Sequence, residues 1–367
     1  MEINFPVYKP SLKGNELKYV TDCIESTWIS SKGKYIADFE AQFAQYLNAG
    51  YATSVCNGTV ALHLALLVLD VKPGDEVIVP TFTYIASVNA ITYVGATPVF
   101  VDSMDQTWQM DVGDIARKIT SKTKAVIAPH IYGHPCEMDT LVEICRLNQL
   151  LLIEDCAEAI GSKYNNKHVG TFGDMAVFSF FGNKTITTGE GGMLVTNSKP
   201  LIERARKLKN QGLSDLQYWH DEVGYNFRMT NICAAIGVAQ LERIDEIITG
   251  KIRIASVYKK AFENTGIAFN PQADNCINSY WMCSILVPSA LQRDELREHL
   301  ILSGIETRPF FYPAHSMKMY QHPLNSHFPV ANSISSRGLN LPSYPDLRDE
   351  EVRFIVSQIL NFFIQNE

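Results

Sequence analysis

Short apolar segments alternate with segments of helical periodicity over the first two-thirds of the chain. The segments predicted as strands are apolar almost throughout, and they are Ala52–Cys56, Glu76–Pro80, Pro98–Val101, Lys124–Pro129, Leu150–Glu154, Met175–Phe180 and Gly192–Thr196. Uniformly apolar strands are typical of a sheet that is covered on both faces. Helices are predicted between many of them, for example over Thr59–Asp70 and Asp139–Asn148. The alternation predicts an open α/β sheet with a mostly parallel core. The last two strands are joined by Gly- and Thr-rich sequence without room for a long helix, so one of them should run antiparallel.

The remaining third has a different pattern. From Thr230 to Asn264 the sequence is helical for about nine turns, with one interruption at Gly250. A smaller α+β lobe should follow, with a strand at Tyr280–Val287 and helices at Gln292–Ser303 and Asp349–Gln365. Residues Pro309–Pro345 are rich in Pro, His, Tyr and Ser and predict a long functional loop. We therefore predict a large domain over residues 1–245, followed by a connector helix and a small domain over residues 246–367.

Composition and charge narrow the classes of function. The 367 residues are 46% hydrophobic and carry a formal net charge of −7, without a basic run that would indicate a nucleic-acid-binding surface. No apolar run approaches the length of a membrane span, and the N-terminus lacks a signal-peptide pattern. The eight cysteines include no C-x-x-C spacing, which favours free thiols over disulfides or a zinc site. We expect a soluble cytoplasmic protein without a structural metal.

Three segments carry candidate chemistry, and the first is Ser54–Leu62, in which a strand ends and a small turn follows. A helix should begin at Gly58 and Thr59, where backbone N–H groups attract a phosphate and the Thr59 hydroxyl adds a donor. A threonine that merely lies near a helix cap is an equally good interpretation of this segment alone.

The second segment is Leu151–Gly161, in which an apolar strand delivers Asp155 to its carboxyl end. Open α/β sheets bind ligands at that edge. A carboxylate there is suited to pair with a protonated ring nitrogen, and an N-cap for a following helix is the alternative.

The third segment is Phe178–Thr196, where Lys184 lies among aromatic, hydroxyl and glycine residues between two strands. A lysine shielded in this way has a lowered pKa and becomes a nucleophile that forms Schiff bases. The alternative is a β-hairpin with a solvated lysine.

Together these segments resemble the DegT/DnrJ/EryC1/StrS family of sugar aminotransferases over essentially the whole chain. The ordered motifs that carry the resemblance are Trp28–Gly33, Asn57–Thr59, Pro80–Tyr84, Glu154–Glu158, Lys184 with Thr187–Gly192, and Gly224–Thr230. The resemblance implies a pyridoxal 5'-phosphate (PLP)-dependent transferase of fold type I, like aspartate aminotransferase, with a large mixed-sheet domain and a smaller C-terminal α+β domain.

The resemblance also assigns roles to single residues. Lys184 would be the catalytic residue, binding PLP as a Schiff base and moving protons during transfer. Asp155 would pair with the ring nitrogen, while Tyr84 stacks on one ring face and Ala157 packs on the other. Glu158 replaces a Gln or His that contacts the ring hydroxyl in many relatives, so its contact is in doubt.

The phosphate group would be bound by Ser179 together with Gly58 and Thr59. Asn226 matches a residue that reaches the phosphate of the neighbouring subunit, which implies a homodimer with a shared active site. The alternative for Asn226 is a loop asparagine that satisfies its own turn.

Within the family the segment Phe178–Lys184 looks most like that of enzymes acting on GDP-4-keto-6-deoxy-D-mannose. The implied amino donor is L-glutamate, which leaves as 2-oxoglutarate. Candidate substrate-binding residues are Lys32, Arg228, Arg308 and His315. Each is as well explained as an ordinary surface or interface group.

Other functions remain as alternatives. An aminotransferase for a UDP- or dTDP-linked keto sugar would carry the same motifs. A related 3-dehydratase acts on the same GDP-sugar but has histidine at the position of Lys184. A nicotinamide-dependent dehydrogenase would show an early G-x-G-x-x-G, which is missing, and a regulatory protein would leave the cofactor motifs unexplained.

Overall fold

The computed structural model describes residues 3–321 and 327–365. Its strands are β1 (Tyr51–Val55), β2 (Glu76–Pro80), β3 (Thr97–Val101), β4 (Thr123–Pro129), β5 (Leu151–Asp155), β6 (Lys163–Tyr164), β7 (Lys167–His168), β8 (Met175–Ser179), β9 (Gly192–Thr196), β10 (Ala268–Phe269), β11 (Cys276–Ile277), β12 (Cys283–Leu286), β13 (Arg308–Pro309) and β14 (Gly338–Leu341). Its α-helices are α1 (Glu16–Glu25), α2 (Lys34–Leu47), α3 (Gly58–Val68), α4 (Ile85–Tyr93), α5 (Val112–Lys118), α6 (Met138–Asn148), α7 (Lys199–Lys209), α8 (Asn231–Leu241), α9 (Ile244–Phe262), α10 (Ala290–Leu302), α11 (Pro329–Arg337) and α12 (Asp349–Gln365).

The large sheet has seven strands in the order β1-β9-β8-β5-β4-β2-β3. All seven predicted strands are present with ends that differ by one residue or less. β9 is antiparallel to both of its neighbours, as predicted from the short connection that precedes it. The central pairs from β8 to β3 are parallel, so their carboxyl ends meet at one edge. This edge is where a ligand site is expected.

Both faces of the sheet are covered. One cluster contains α3 residues together with Val77 and Val79 of β2, while a second contains Phe39 and Phe43 of α2 packed against Phe178 and Phe180. All four phenylalanine rings are buried. The uniform apolar character of the strands follows from this two-sided covering.

The predicted continuous connector helix is wrong in one respect, because it divides into α8 and α9 at Glu242–Arg243. α8 packs on α1 and α2 of the large lobe, whereas α9 packs on α12 of the small lobe, so the chain turns between them. Gly250 lies inside α9 without breaking it. A Cβ atom there would lie 2.9 Å from the Pro345 carbonyl oxygen, so the glycine permits a close approach of the chain.

The small lobe contains the four-stranded sheet β10-β12-β14-β13 with α10 and α12. The segment Pro309–Pro345 was predicted to be a long loop, but it contains α11 and β14, so the prediction is wrong there. Its residues 322–326 lie outside the described part of the chain. The polar sequence of α11 gives little helical signal. Its first turn is held by Asp102, whose carboxylate accepts the N–H groups of Val330 and Ala331 at 3.2 and 2.8 Å.

All eight cysteines are free thiols, and six of them are buried. Over residues 3–321 and 327–365, none of the helices combines the length and the apolar character that a membrane span requires.

Candidate active site

A cavity of about 700 Å³ opens at the carboxyl ends of the parallel strands. Its walls come from the start of α3, the segments after β2, β4, β5 and β8, and the small lobe. Both lobes contribute, since Trp281, Met282 and Arg308 line it beside residues of the large sheet. The three chemistry-bearing segments of the sequence therefore meet in one place.

The start of α3 forms a small cradle in this cavity. Asn57 is the N-cap, and its side chain accepts the N–H of Val60 at 2.9 Å. Gly58, Thr59 and Ser179 line the cavity beside it. A Cβ atom on Gly58 would lie 2.8 Å from the Cβ atom of Ser179, so only glycine leaves this space open. A helix start with adjacent hydroxyl groups suits a phosphate.

Asp155 ends β5 and is buried with its carboxylate held by two donors. The Ser87 hydroxyl donates to Oδ2 at 2.6 Å, and the Ala157 N–H donates to Oδ1 at 3.1 Å. Thr83 Oγ1 lies 3.3 Å from Ser87 Oγ. Residues 156–162 form turns rather than a helix, which removes the N-cap alternative for Asp155. Ser87 was not predicted from the sequence, although it lies three residues after Tyr84, which ends the Pro80–Tyr84 motif.

Glu154, the preceding residue, anchors the end of β5. Its fully buried carboxylate accepts three backbone N–H groups at 2.7–2.8 Å, those of Gly170, Phe172 and Gly173. His130 Nε2 lies 3.3 Å away, and Cys156 brings a third potential metal ligand within 4.8 Å. Because the carboxylate already accepts these backbone groups, we interpret the cluster as structural.

Lys184 and Glu158 form a buried pair in the cavity. Lys184 Nζ lies 3.8 Å from Glu158 Oε1, and Glu158 Oε2 accepts the N–H of Tyr132 at 2.9 Å. Burial lowers the pKa of Lys184, although Glu158 and Asp155 oppose that shift. Burial raises the pKa of Glu158 to about 7, against the opposing effects of Lys184 and the Tyr132 amide. Both groups are thus driven toward their neutral forms near neutral pH.

Aromatic side chains surround this pair. The Trp281 ring centroid lies 4.0 Å from Lys184 Nζ, and Tyr132 stacks on Trp281 with ring centroids 6.1 Å apart. Tyr84 and Ala157 line the cavity, and Tyr84 packs on Phe311 with centroids 5.6 Å apart. Neither Trp281 nor Tyr132 was predicted from the sequence, since only folding brings Trp281 to Lys184 and Tyr132 to Trp281 and Glu158.

Asn226 and Arg228 lie outside the residues that line the cavity of this chain. Arg228 Nε donates to Asn226 Oδ1 at 3.0 Å, and its Nη1 donates to Asn210 at 3.0 Å. Lys32 is exposed and also lies away from the cavity. The cofactor role of Asn226 and the substrate roles of Lys32 and Arg228 stay predictions.

The two candidates from the C-terminal lobe have different positions. Arg308 lines the cavity and makes an ion pair with Glu306 at 3.3 Å. His315 lies outside the lining residues, with Nδ1 2.7 Å from Thr81 Oγ1 and its ring packed on Phe328. Arg308 is therefore the better placed of the two for an anionic ligand, and both roles stay predictions.

The seven-stranded mixed sheet, the smaller lobe and a buried lysine facing a carboxylate at the sheet edge are those of a PLP-dependent transferase of fold type I. The chain belongs to the DegT/DnrJ/EryC1/StrS aminotransferase family, whose model matches residues 10–360, and it is a sugar aminotransferase. It is 58% identical to the GDP-perosamine synthase of Escherichia coli O157:H7 over 98% of both chains. It is 53% identical to the GDP-perosamine synthase of Vibrio cholerae, over 98% of this chain and 99% of the other. The crystal structure of the aminotransferase TlmJ from Streptoalloteichus hindustanus superposes with a TM-score of 0.94, at 30% identity and over 99% of both chains.

Proposed function

We propose that this protein is a GDP-perosamine synthase, which transfers the amino group of L-glutamate to C4″ of GDP-4-keto-6-deoxy-D-mannose. The products are GDP-perosamine, a precursor for O-antigen and related surface polysaccharides, and 2-oxoglutarate. The observation that carries the proposal is the buried Lys184 beside Glu158, in a chain 58% identical over 98% of its length to a protein of that name.

The residues in the cavity suit PLP. Gly58, Thr59 and Ser179 would bind the phosphate group in the cradle that a Cβ atom on Gly58 would fill. Asp155 would face the ring nitrogen, where a fixed carboxylate keeps that nitrogen protonated.

The remaining cofactor contacts would come from Tyr84, Ala157 and Glu158, which line the cavity around Lys184. When bound, PLP supplies an electron sink that makes proton removal beside the transferred nitrogen possible.

Lys184 performs the acid–base chemistry. Its amine must be neutral to attack a carbonyl or accept a proton, and burial favours that form. Glu158 is the nearest carboxylate to its Nζ atom and can hold a proton near pH 7. The buried Trp281 ring lies over the lysine amine and stacks on the buried Tyr132 ring. Lys184 would move the proton between the amino-bearing carbon and the cofactor, and histidine at this position would favour dehydration instead.

A homodimer is the second part of the proposal. The segment before Asn226 exposes apolar side chains, with Leu216, Tyr218, Trp219 and Val223 between 60% and 86% exposed. Exposed apolar patches of this kind mark protein–protein contacts. A second copy of this chain would cover them and bring its own Asn226 to the phosphate cradle. Sedimentation that gave only a monomer at micromolar concentration would contradict this.

The product of the reaction tests the substrate assignment. Purified protein is incubated with L-glutamate and, separately, with GDP-, UDP- and dTDP-linked 4-keto-6-deoxy sugars, and the products are identified by mass spectrometry. We expect the GDP sugar to be aminated at C4″. It should be preferred by at least about tenfold in kcat/KM, because a tenfold preference requires only about 1.4 kcal/mol of differential transition-state binding. Amination of non-GDP sugars alone would reject the proposed substrate, and loss of the C3 hydroxyl would indicate the dehydratase.

Glu158 predicts a pH dependence of stability in the cofactor-free protein. Its pKa of about 7 in the folded state lies above its ordinary value of 4.5. The carboxyl therefore contributes stability at low pH, and this contribution is lost as the pH rises through 7. Glutamine does not titrate, so the variant does not lose this contribution as the pH rises. The free energy of unfolding of Glu158→Gln minus that of wild type should therefore increase from about pH 5 to pH 8, by at most about 3 kcal/mol.

Urea unfolding across this pH range measures the effect. Glu203→Gln on α7 is the matched control, since Glu203 is exposed. A difference between Glu158→Gln and wild type that stayed constant with pH, like that of the control, would contradict the raised pKa.

A further inference from the structure

Two side chains from distant parts of the chain hold the backbone that carries Lys184. The Tyr8 hydroxyl donates to the carbonyl oxygen of Lys184. The Trp281 Nε1–H donates to the carbonyl oxygen of Asn183 at 2.7 Å. Residues 182–188 belong to no helix or strand, so these carbonyl groups depend on side chains for their hydrogen bonds. Two successive carbonyl groups are thus fixed from two directions.

Trp281 also contacts the side chain of the next residue, Lys184. Its ring centroid lies 4.0 Å from Lys184 Nζ, and the same Nζ atom lies 3.8 Å from Glu158 Oε1. Trp281 is buried and stacks on Tyr132, so its ring has little freedom to move. One tryptophan therefore holds both the backbone beside Lys184 and the end of its side chain.

Tyr8 is fixed in turn by the small lobe. Its ring lies 5.5 Å from Nζ of Lys251, a fully buried lysine that donates to the Ser343 carbonyl at 2.8 Å. The neighbouring Val7 accepts from the Ser343 N–H at 3.2 Å and donates to Glu306 Oε2 at 3.0 Å. The N-terminal segment thereby connects the small lobe to the backbone of Lys184.

We propose that Tyr8 and Trp281 are positioning residues that clamp the Asn183–Lys184 backbone and aim the lysine amine into the cavity. The inference rests on the proposed function, because the direction of this amine matters for the reaction only if Lys184 binds the cofactor. A rotation of the Lys184 peptide unit displaces Nζ at the end of four methylene groups. Displacements of about 1 Å in a reacting group cost up to about 100-fold in rate.

Tyr8→Phe tests the clamp because it removes only the hydroxyl. Tyr258→Phe is the matched control, since the buried Tyr258 hydroxyl in α9 also donates to a backbone carbonyl, that of Pro342 at 3.0 Å. Both variants lose a tyrosine–carbonyl hydrogen bond, which is part-buried for Tyr8 and buried for Tyr258, so Tyr258→Phe should lose at least as much stability as Tyr8→Phe. Only the first loses a contact with Lys184.

Three measurements separate positioning from stability. Tyr8→Phe should lower kcat about tenfold while the KM for the sugar changes less than about twofold. It should also slow, by about tenfold, the reaction of added PLP with Lys184 in cofactor-free protein, measured by borohydride trapping and peptide mass. The visible circular dichroism per unit absorbance of bound PLP should change, because that signal reports orientation. Tyr258→Phe should match wild type in all three.

Tyr8→Phe protein that matches Tyr258→Phe in the trapping rate and the dichroism would overturn the role of Tyr8. Trp281→Phe keeps an aromatic face but loses the N–H donor, and it should show the same three changes. If Trp281→Phe matches wild type, Trp281 has no positioning role. If Tyr8→Phe does not fold, Trp281→Phe alone tests whether the Asn183–Lys184 backbone is clamped. Wild-type protein that neither binds PLP at Lys184 nor transfers an amine would reject the proposed function itself.

Discussion

Lys184→Ala is expected to lower kcat by at least about 10³-fold, to the limit of detection, while the protein remains folded. The variant loses both the nucleophile that binds the cofactor and the group that moves the proton, and general acid–base catalysis alone contributes about 10²–10⁴-fold. Folding should survive because Glu158 then takes up a proton rather than stay charged without a partner. Steady-state kinetics with the GDP sugar and L-glutamate, together with thermal unfolding, measure both expectations.

Lys184→Arg is the matched variant for this prediction. It places a permanent positive charge near Glu158, and a guanidinium group cannot form a Schiff base or release a proton at neutral pH. We expect the same loss of activity as in Lys184→Ala. In wild-type protein, borohydride should bleach the yellow colour and leave the adduct on the peptide that contains Lys184. An adduct on another lysine, or appreciable turnover in either variant, would contradict the assignment.

Asp155→Ala is expected to have the second largest effect, a loss of about 10²-fold or more in kcat in both half-reactions. In the proposed function its carboxylate faces the ring nitrogen, and removing a preorganised electrostatic partner typically costs about 10²–10³-fold. Ser87→Ala should cost less, because it removes only the hydroxyl that donates to Asp155 Oδ2 at 2.6 Å and leaves the charge in place. Half-reaction rates followed by absorbance give this order directly.

Glu158→Gln is the control for the role of Asp155. It removes a second buried carboxyl from the same cavity but keeps an acceptor for the Tyr132 N–H. We expect a loss of less than about tenfold, because glutamine preserves the hydrogen bond. A larger loss in Glu158→Gln than in Asp155→Ala would reverse the roles proposed for the two residues.

In the proposed function, lysine rather than histidine at position 184 favours amino transfer over dehydration of the same GDP sugar. A buried amine can be neutral and act as both nucleophile and base, whereas an imidazole could not hold the cofactor covalently as a primary amine would. The geometry around Lys184 is consistent with transfer, since its amine faces Glu158 inside the cavity rather than solvent. The solvated-lysine alternative fails because the segment between β8 and β9 is folded inward under Trp281.

Local sequence determined the strands of the large sheet and the ends of most helices. An apolar run such as Met175–Phe180 can be buried on both faces only as a central strand, and Asp155 follows such a run directly. The order of motifs was enough to place Gly58, Thr59, Asp155 and Lys184 at one edge, because parallel strands end at the same side of a sheet.

Where packing outweighed local pattern, sequence-based prediction was wrong. The turn between α8 and α9 arises because the two helices pack on different lobes. α11 forms from a polar segment because Asp102, more than 200 residues away, caps its first turn. Neither cause can be seen in a window of neighbouring residues.

Lys184 shows most clearly which properties follow from the sequence and which depend on the tertiary structure. Its identity, and its place between two buried strands, follow from the sequence alone, because apolar pattern and the flanking glycines are local properties. Its environment does not. Ser87 donates to Asp155 from 68 residues away, Trp281 donates to the Asn183 carbonyl from 98 residues away, and Tyr8 donates to the Lys184 carbonyl from 176 residues away. Only the packing of the two lobes brings these groups together, since a hydrogen bond depends on distances of a few tenths of an ångström that no pattern of residue types encodes.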